Sequence, residues 1–319
     1  MIQTRGLRKS FRSRAGRQHK TVDAVRGVDL DVAEGEIFGF LGPNGAGKTT
    51  TLRMLATLIA PDGGQATIAG ADLLRDPAEV RRRIGYVAQG GSTWDDCTAR
   101  EELVLHARMY GIGKADAHRR AGRALAAFQL TEYADRKCKT YSGGQRRRVE
   151  IALGIIHDPR IVFLDEPTSG LDPQSRAHMW DEIRRLRAEG MTVFITTHYL
   201  DEADALCDRI AIMDHGEVVA EGTPAGLKRE ISGEVLLVGL DTAATGQAAE
   251  LLDTEPYVAK LETVDGGGLR LTVDEGATAI PQVLRRLDQA GLGLSSIELH
   301  RPSLDDVFLT KTGRSLRES

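Results

Sequence analysis

Lys48 and Thr49 close the run Gly42-Pro43-Asn44-Gly45-Ala46-Gly47-Lys48-Thr49-Thr50. Glycines, an ammonium and hydroxyls at this spacing suit the binding of a polyphosphate. Glycine lets backbone N–H groups turn inward and approach phosphate oxygens with no Cβ in the way. Lys48 would reach the β- and γ-phosphates, and the Thr49 hydroxyl would go to Mg²⁺. Such a loop needs a strand before it and a helix after it. Ile37-Phe38-Gly39-Phe40-Leu41 reads as a buried strand, and Thr51 to Ala56 reads as a helix whose N-terminus adds partial positive charge. A glycine-rich turn with a solvated lysine is the alternative. The full pattern in strand-to-helix context favours a nucleoside-triphosphate site.

Further along, Ile161 to Leu164 is a continuous apolar run of the doubly covered, parallel kind. It ends in Asp165-Glu166-Pro167, two adjacent carboxylates where open α/β sheets bind ligands. Capping of the next segment is the competing explanation. The strand from Thr192 to Thr197 ends at His198, and Ile84 to Ala88 ends at Gln89. Each is a weak signal alone, yet each sits at a strand's carboxyl end. Ser142-Gly143-Gly144-Gln145 opens a helix running through Ile156. Ser142 is a sensible N-cap, and the glycines permit close approach, so this is either ordinary capping or a second anion-binding surface. The following Arg146-Arg147-Arg148 is expected as a solvated helix face.

Around these residues the chain reads as about two domains. Its 319 residues carry a net charge of -4, which argues against nucleic acid as a main partner. Cys97, Cys138 and Cys207 have neither zinc nor disulfide-framework spacing. No run reaches the roughly 20 apolar residues of a membrane span, and no signal-peptide core opens the chain, so a membrane role would come through a partner.

Residues 2–32 are expected as two strands around a basic, solvated loop, Arg12 to Lys20. Phe11, just before that loop, is either a core residue or a ring that stacks on a base. Apolar spacing over Thr98–Leu130 (Leu103, Val104, Ala107, Tyr110, Ala121, Leu125, Phe128) is helical. A polar stretch at Ile231-Ser232-Gly233 marks a domain boundary. Beyond it come a strand Val235–Leu240, a helix Ala243–Leu252, a strand Val258–Thr263, a Gly266-Gly267-Gly268 turn and a strand Leu269–Val273. A helix Ala277–Ala290 and a strand Ser295–Leu299 complete a βαββαβ order of ferredoxin-like type. The segment Leu304 to Leu309 has helical apolar spacing and is expected to dock on its own domain.

Taken together and in this order, the phosphate loop, Ser142-Gly143-Gly144-Gln145, Leu164-Asp165-Glu166-Pro167 and His198 resemble the ATP-binding subunits of ABC transporters. Thr140 to Arg148 and the closing Pro302-Ser303-Leu304-Asp305-Asp306-Val307-Phe308-Leu309 are similar to a narrower group, the daunorubicin/doxorubicin-resistance-type exporter ATPases of bacteria. The resemblance implies an α/β P-loop NTPase domain of ABC type over residues 1–230, with a helical subdomain at about 98–157. A C-terminal α+β accessory domain would occupy 231–319. It further implies ATP bound by Gly42 to Thr50, with Mg²⁺ held by Thr49, Gln89 and, through water, Asp165. Glu166 would polarise the attacking water and His198 would meet the γ-phosphate. Ser142, Gly143, Gly144 and Gln145 would approach ATP held by a second copy, and Phe11 would take the adenine-stacking place where tyrosine is commoner. Partners would be a separately encoded permease and a homodimeric twin, at the cytoplasmic face of the cell membrane. The text after Gln89 departs from the family's proline-containing form, leaving Trp94 as either a permease contact or a buried anchor. Exporters of lipid, polysaccharide or ions share much of this pattern. A single cassette without sustained heptads speaks against a soluble translation or repair ATPase.

Overall fold

The computed structural model describes residues 1–15, 18–231, 233–241, 244–264 and 268–313. Parts of four expectations, at Gly16 and Arg17, Ser232, Ala243, and Gly266 with Gly267, lie outside them. The chain divides into two compact units between Pro224 and Ala225.

The first unit is built on a six-stranded sheet. Its spatial order is Glu217–Gly222, Arg209–Asp214, Ile37–Leu41, Thr192–Thr197, Ile161–Asp165, Ile84–Val87. All neighbours pair in parallel except the edge strand Glu217–Gly222. Strands buried on both faces are largely apolar, and Ile37–Leu41, Ile161–Asp165 and Thr192–Thr197 are buried at every position, their polar residues Asp165, Thr192, Thr196 and Thr197 standing at strand ends. Phe194 anchors them, with ring centroids 5.5 Å from Phe38, 5.6 Å from Phe40 and 5.6 Å from Phe163. The four adjacent strands from Ile37–Leu41 to Ile84–Val87 therefore end side by side. Their carboxyl ends present the phosphate loop, His198, Asp165-Glu166 and Gln89 in a row.

A second, antiparallel sheet runs Gln18–Val32, Ile2–Ala15, Gly63–Ile68, Ala71–Asp72. Its long hairpin corrects the expected solvated loop. Pairing continues past Phe11↔Val22 through Arg12↔Thr21 to Ala15↔Gln18. The strand ladder thus runs into the basic stretch instead of ending before it.

The helical insert consists of Ala99–Met109, Lys114–Ala127 and Gly143–Ile155. A capping box between Thr98 and Glu101 starts the first of these. Leu103, Ala107, Ala121, Leu125 and Phe128 are buried as their spacing predicts. Tyr110 is not; it ends the first helix and stacks on His157 with centroids 3.7 Å apart. One further helix, Leu200–Leu206, was not expected, because seven residues are too few to show a helical period.

The second unit has the antiparallel order Val258–Val264, Gly268–Val273, Glu234–Leu240, Leu294–His300. With helices Thr245–Asp253 and Gly276–Gln289, this is the split βαβ arrangement of a ferredoxin-like domain. Alternate residues Leu236, Val238, Leu269 and Leu271 pack with Ala248, Leu252, Val283 and Leu287 of the helices. The helix Leu304–Thr312 starts at a capping box on Ser303 and buries Leu304, Val307 and Phe308. The helix Pro224–Ile231 falls with this unit rather than before the boundary, since Ile231 lines a cavity with Val235 and Leu237.

Candidate active site

The phosphate loop passes directly into the helix Lys48–Leu55, three residues earlier than the apolar spacing suggests, with Gly47 as its N-cap. Two glycines are there by necessity. A Cβ on Gly42 (φ +154°) would lie 2.2 Å from Met213 O, and one on Gly47 (φ +108°) would lie 2.2 Å from Ala24 O. Loop and neighbouring backbone touch, so no other residue fits. Lys48 is buried, and its Nζ donates to Gly42 O at 2.7 Å and Pro43 O at 3.0 Å. An ammonium has three donors, so two hold the loop's shape. Burial lowers the Lys48 pKa below its ordinary value, while the carboxylates of Glu166 and Asp165 pull it back up.

A cleft of about 300 Å³ opens above the loop, lined by Asn44, Gly45, Gly47, Lys48, Thr49 and Thr50 with Phe11, Gln89 and Glu166. Phe11 is 44% exposed, so its ring is not a core residue; Lys9 Nζ sits 5.7 Å from its centroid. Pro43 and Ala46 shape the turn, with Ala46 N–H donating to Pro43 O at 3.2 Å.

At the next strand ends, Asp165 Oδ1 accepts from Thr49 Oγ1 at 3.2 Å and from Thr196 Oγ1 at 2.6 Å. Hydroxyl, carboxylate and the nearby Gln89 amide are hard oxygen donors of the kind Mg²⁺ takes, so the residues fit that ion. Glu166 is buried and has the left-handed φ of +45°. Its N–H donates to Thr196 O and Oγ1, each at 3.1 Å. Its carboxylate accepts from Gln89 and lies beside His198, whose Nδ1 makes no hydrogen bond among the described residues. Gln89 Nε2 donates to Oε2 at 2.7 Å, and His198 Nδ1 stands 3.2 Å from Oε1. A non-glycine residue in this conformation is held by its surroundings, a condition found at functional sites.

Ser142 and Gln145 form a reciprocal capping box at the start of Gly143–Ile155. Ser142 and Gly143 are exposed, and none of Ser142–Gln145 lines the cleft of its own chain. Gly144 packs closely; a Cβ there would sit 2.9 Å from Ser175 Oγ. Trp94 is 61% exposed and is no buried anchor.

Three supporting residues were not foreseen. Thr196, read only as strand, orients the Asp165 carboxylate and holds the Glu166 backbone N–H. Glu202 is fully buried and accepts from Thr168 Oγ1 at 2.7 Å and Trp180 Nε1 at 3.2 Å. Arg147 overturns the expected solvated face: it is 7% exposed and bonds Glu150 Oε2 at 2.8 Å. The signal was the opposite charge of Arg147 and Glu150 at i,i+3, on the side of the helix that also carries Ile151.

The family model described as ABC transporter matches residues 25–169, and that of the ATP-binding protein DrrA1-3-like, C-terminal domain, matches residues 222–312. The daunorubicin/doxorubicin resistance ATP-binding protein DrrA of Streptomyces peucetius is 44% identical over 313 residues, covering 98% of this chain and 92% of its own. The Nod factor export ATP-binding protein I of Burkholderia lata is 39% identical over 297 residues, covering 92% of this chain and 93% of its own. Among solved structures, a dimeric ATP-binding cassette in a post-hydrolysis state with ADP and Pi superposes with a TM-score of 0.63 at 28% identity. That match covers 70% of this chain and 98% of the other. Carboxylates poised beside a phosphate loop, together with these similarities along the whole chain, make one conclusion: it belongs to the ATP-hydrolysing subunits of ABC transporters, among the daunorubicin/doxorubicin-resistance type.

Proposed function

We propose that this chain hydrolyses ATP to drive export of a hydrophobic drug or secondary metabolite through a separate membrane permease. It works as a head-to-tail homodimer on the cytoplasmic face of the cell membrane. The observation that carries this is Glu166, poised beside the phosphate loop between Gln89 and His198. Glu166 polarises the attacking water. Lys48 and the backbone from Asn44 to Thr50 hold the β- and γ-phosphates. His198 meets the charge that develops on the γ-phosphate, and Phe11 stacks on adenine. Phosphoryl transfer is mainly positioning and electrostatics, so no covalent intermediate is required. Thr49, Gln89 and, through water, Asp165 would hold Mg²⁺, and the chemistry supplied there would be neutralisation of phosphate charge.

Ser142–Gln145 takes the γ-phosphate of ATP in the partner's cleft. The exposure of Ser142 and Gly143 and their place outside their own cleft support this division. Among the described residues no helix is long and apolar enough to cross a membrane, which supports a permease as the transport path. Drug export is favoured by the 44% identity to a daunorubicin/doxorubicin resistance protein. The 39% identity to a Nod factor exporter supports a second reading, the same machinery on another cargo. The test is efflux. Co-expressed with its permease in a pump-deficient bacterium, the parental chain lowers anthracycline accumulation and Lys48→Ala does not. Equal accumulation with both, in cells making both proteins, contradicts the drug-export reading.

A further inference from the structure

We propose that Arg147 is a positioning residue that fastens the helix carrying Ser142–Gln145 to the catalytic carboxylate and to Gln89 of the same subunit. The proposal rests on the roles given above to Glu166 and Ser142–Gln145.

Arg147 lies two residues beyond Gln145 on the helix Gly143–Ile155, with a side chain 8% exposed. A guanidinium has five N–H donors in a rigid plane, and here they reach acceptors in three segments. Nε donates to Pro167 O at 2.9 Å; Nη1 donates to Ala88 O at 2.7 Å and Glu150 Oε2 at 2.8 Å. Nη2 donates to Asp165 O at 3.0 Å and Glu166 O at 3.4 Å. Glu150, also buried, neutralises the charge. Its other oxygen lies against the Gln89-Gly90-Gly91 turn, where a Cβ on Gly91 would be 2.8 Å from Oε1.

Burial alone needs only that a charge be paired and hydrogen-bonded. It does not require these acceptors, which are the carbonyls of both site carboxylate residues and of the residue before Gln89. The strained backbone at Glu166 is thus held on both sides, its N–H by Thr196 and its carbonyl by Arg147. Movement of the helix when Ser142–Gln145 engages a partner's nucleotide is passed by one stiff side chain to Glu166 and Gln89. In this way each site of the dimer senses the other.

The test uses the full chain. Arg147→Met with Glu150→Leu replaces the buried pair by apolar side chains, an exchange that is often neutral or stabilising. Glu150→Gln removes one charge and keeps every acceptor of Arg147. Melting temperature, affinity for a fluorescent ATP analogue, kcat, KM and the Hill coefficient are measured for each. The expected double variant melts near the parental temperature and binds nucleotide, but kcat falls about 10²-fold, the scale for a misplaced catalytic group, and ATP cooperativity is lost. Glu150→Gln keeps kcat within a few-fold even where its melting temperature drops. A folded double variant with parental kcat and cooperativity overturns the proposal. If the double variant does not fold, a Glu150→Gln rate that falls in step with its stability overturns it as well. Glu166→Gln, assayed alongside, separates the two levels: parental turnover in that variant removes the role of Glu166 itself, whatever Arg147 does.

Discussion

Gln89 Nε2 donates a 2.7 Å hydrogen bond to Glu166 Oε2, joining the end of one sheet strand to the carboxylate at the end of the next. An amide in this place fixes the orientation of the carboxylate. Gln89→Glu puts two carboxylates in contact, and like charges raise an acid's pKa. Since the base acts ionised, the acid limb of the kcat profile moves to higher pH, so the loss of rate is larger at pH 6.5 than at pH 8.5. A pH-independent loss would show that Gln89 acts on something other than this carboxylate.

Gly45 and Gly47 of the phosphate loop differ in what surrounds them. Both have positive φ, but a Cβ on Gly45 meets nothing within 4 Å, while one on Gly47 meets Ala24 O at 2.2 Å. Gly45→Ala should cost only the left-handed strain, about 1–2 kcal/mol. Gly47→Ala must also move the hairpin backbone, so it should melt well below Gly45→Ala and bind no ATP. Thermal melts with and without nucleotide compare the two directly.

Ser142 caps its helix, and in the proposed function it also presents an anion site to a second copy. Aspartate caps a helix about as well as serine, but its charge repels a phosphate. Ser142→Asp should therefore keep the parental melting temperature within a few degrees. Combined with a hydrolysis-blocked background, it should abolish ATP-dependent dimers in size-exclusion chromatography with light scattering. Normal dimers would remove Ser142–Gln145 from the site.

Glu202 is an acid whose burial raises its pKa above the ordinary 4.5, against the hydrogen bonds from Thr197, Thr168 and Trp180 that lower it. For an acid raised on folding, the native state binds the proton more tightly than the unfolded chain. Its contribution is present below the unfolded pKa and is lost as pH rises through the folded one. Glu202→Gln keeps an oxygen for Thr168 and Trp180 without the charge. Its melting temperature should exceed the parental one at pH 8, and the gap should shrink as pH falls toward 5.5. A gap that widens on acidification would reverse the sign of this linkage.

Most of the candidate site was legible because its residues lie at strand ends, where a hydrophobic run stops and a polar residue begins. Gly42–Thr50, Asp165-Glu166, His198 and Gln89 all stand at such junctions, and the sheet order brings them into one row. The ferredoxin-like domain was legible for the same reason, since alternation in Glu234–Leu240 and Gly268–Val273 marks one buried face. Illegible features depended on contacts far apart in the chain. Arg147 looked like one of three surface arginines, because all its acceptors but Glu150 are carbonyls 18 to 59 residues away, and carbonyls leave no trace in a sequence. The hairpin beyond Phe11 was hidden by its charge, because a short basic run reads as a loop. Helix Leu200–Leu206 was too short to declare a period.

The central claim is that Glu166, hydrogen-bonded by Gln89 and facing His198, activates the water that attacks ATP. Glu166→Gln keeps the shape and an oxygen toward Gln89 while removing the base. With the purified chain, steady-state hydrolysis should fall by about 10²-fold or more, while affinity for ATP stays within a few-fold of the parental value. Parental turnover by a folded, ATP-binding Glu166→Gln chain would contradict the account.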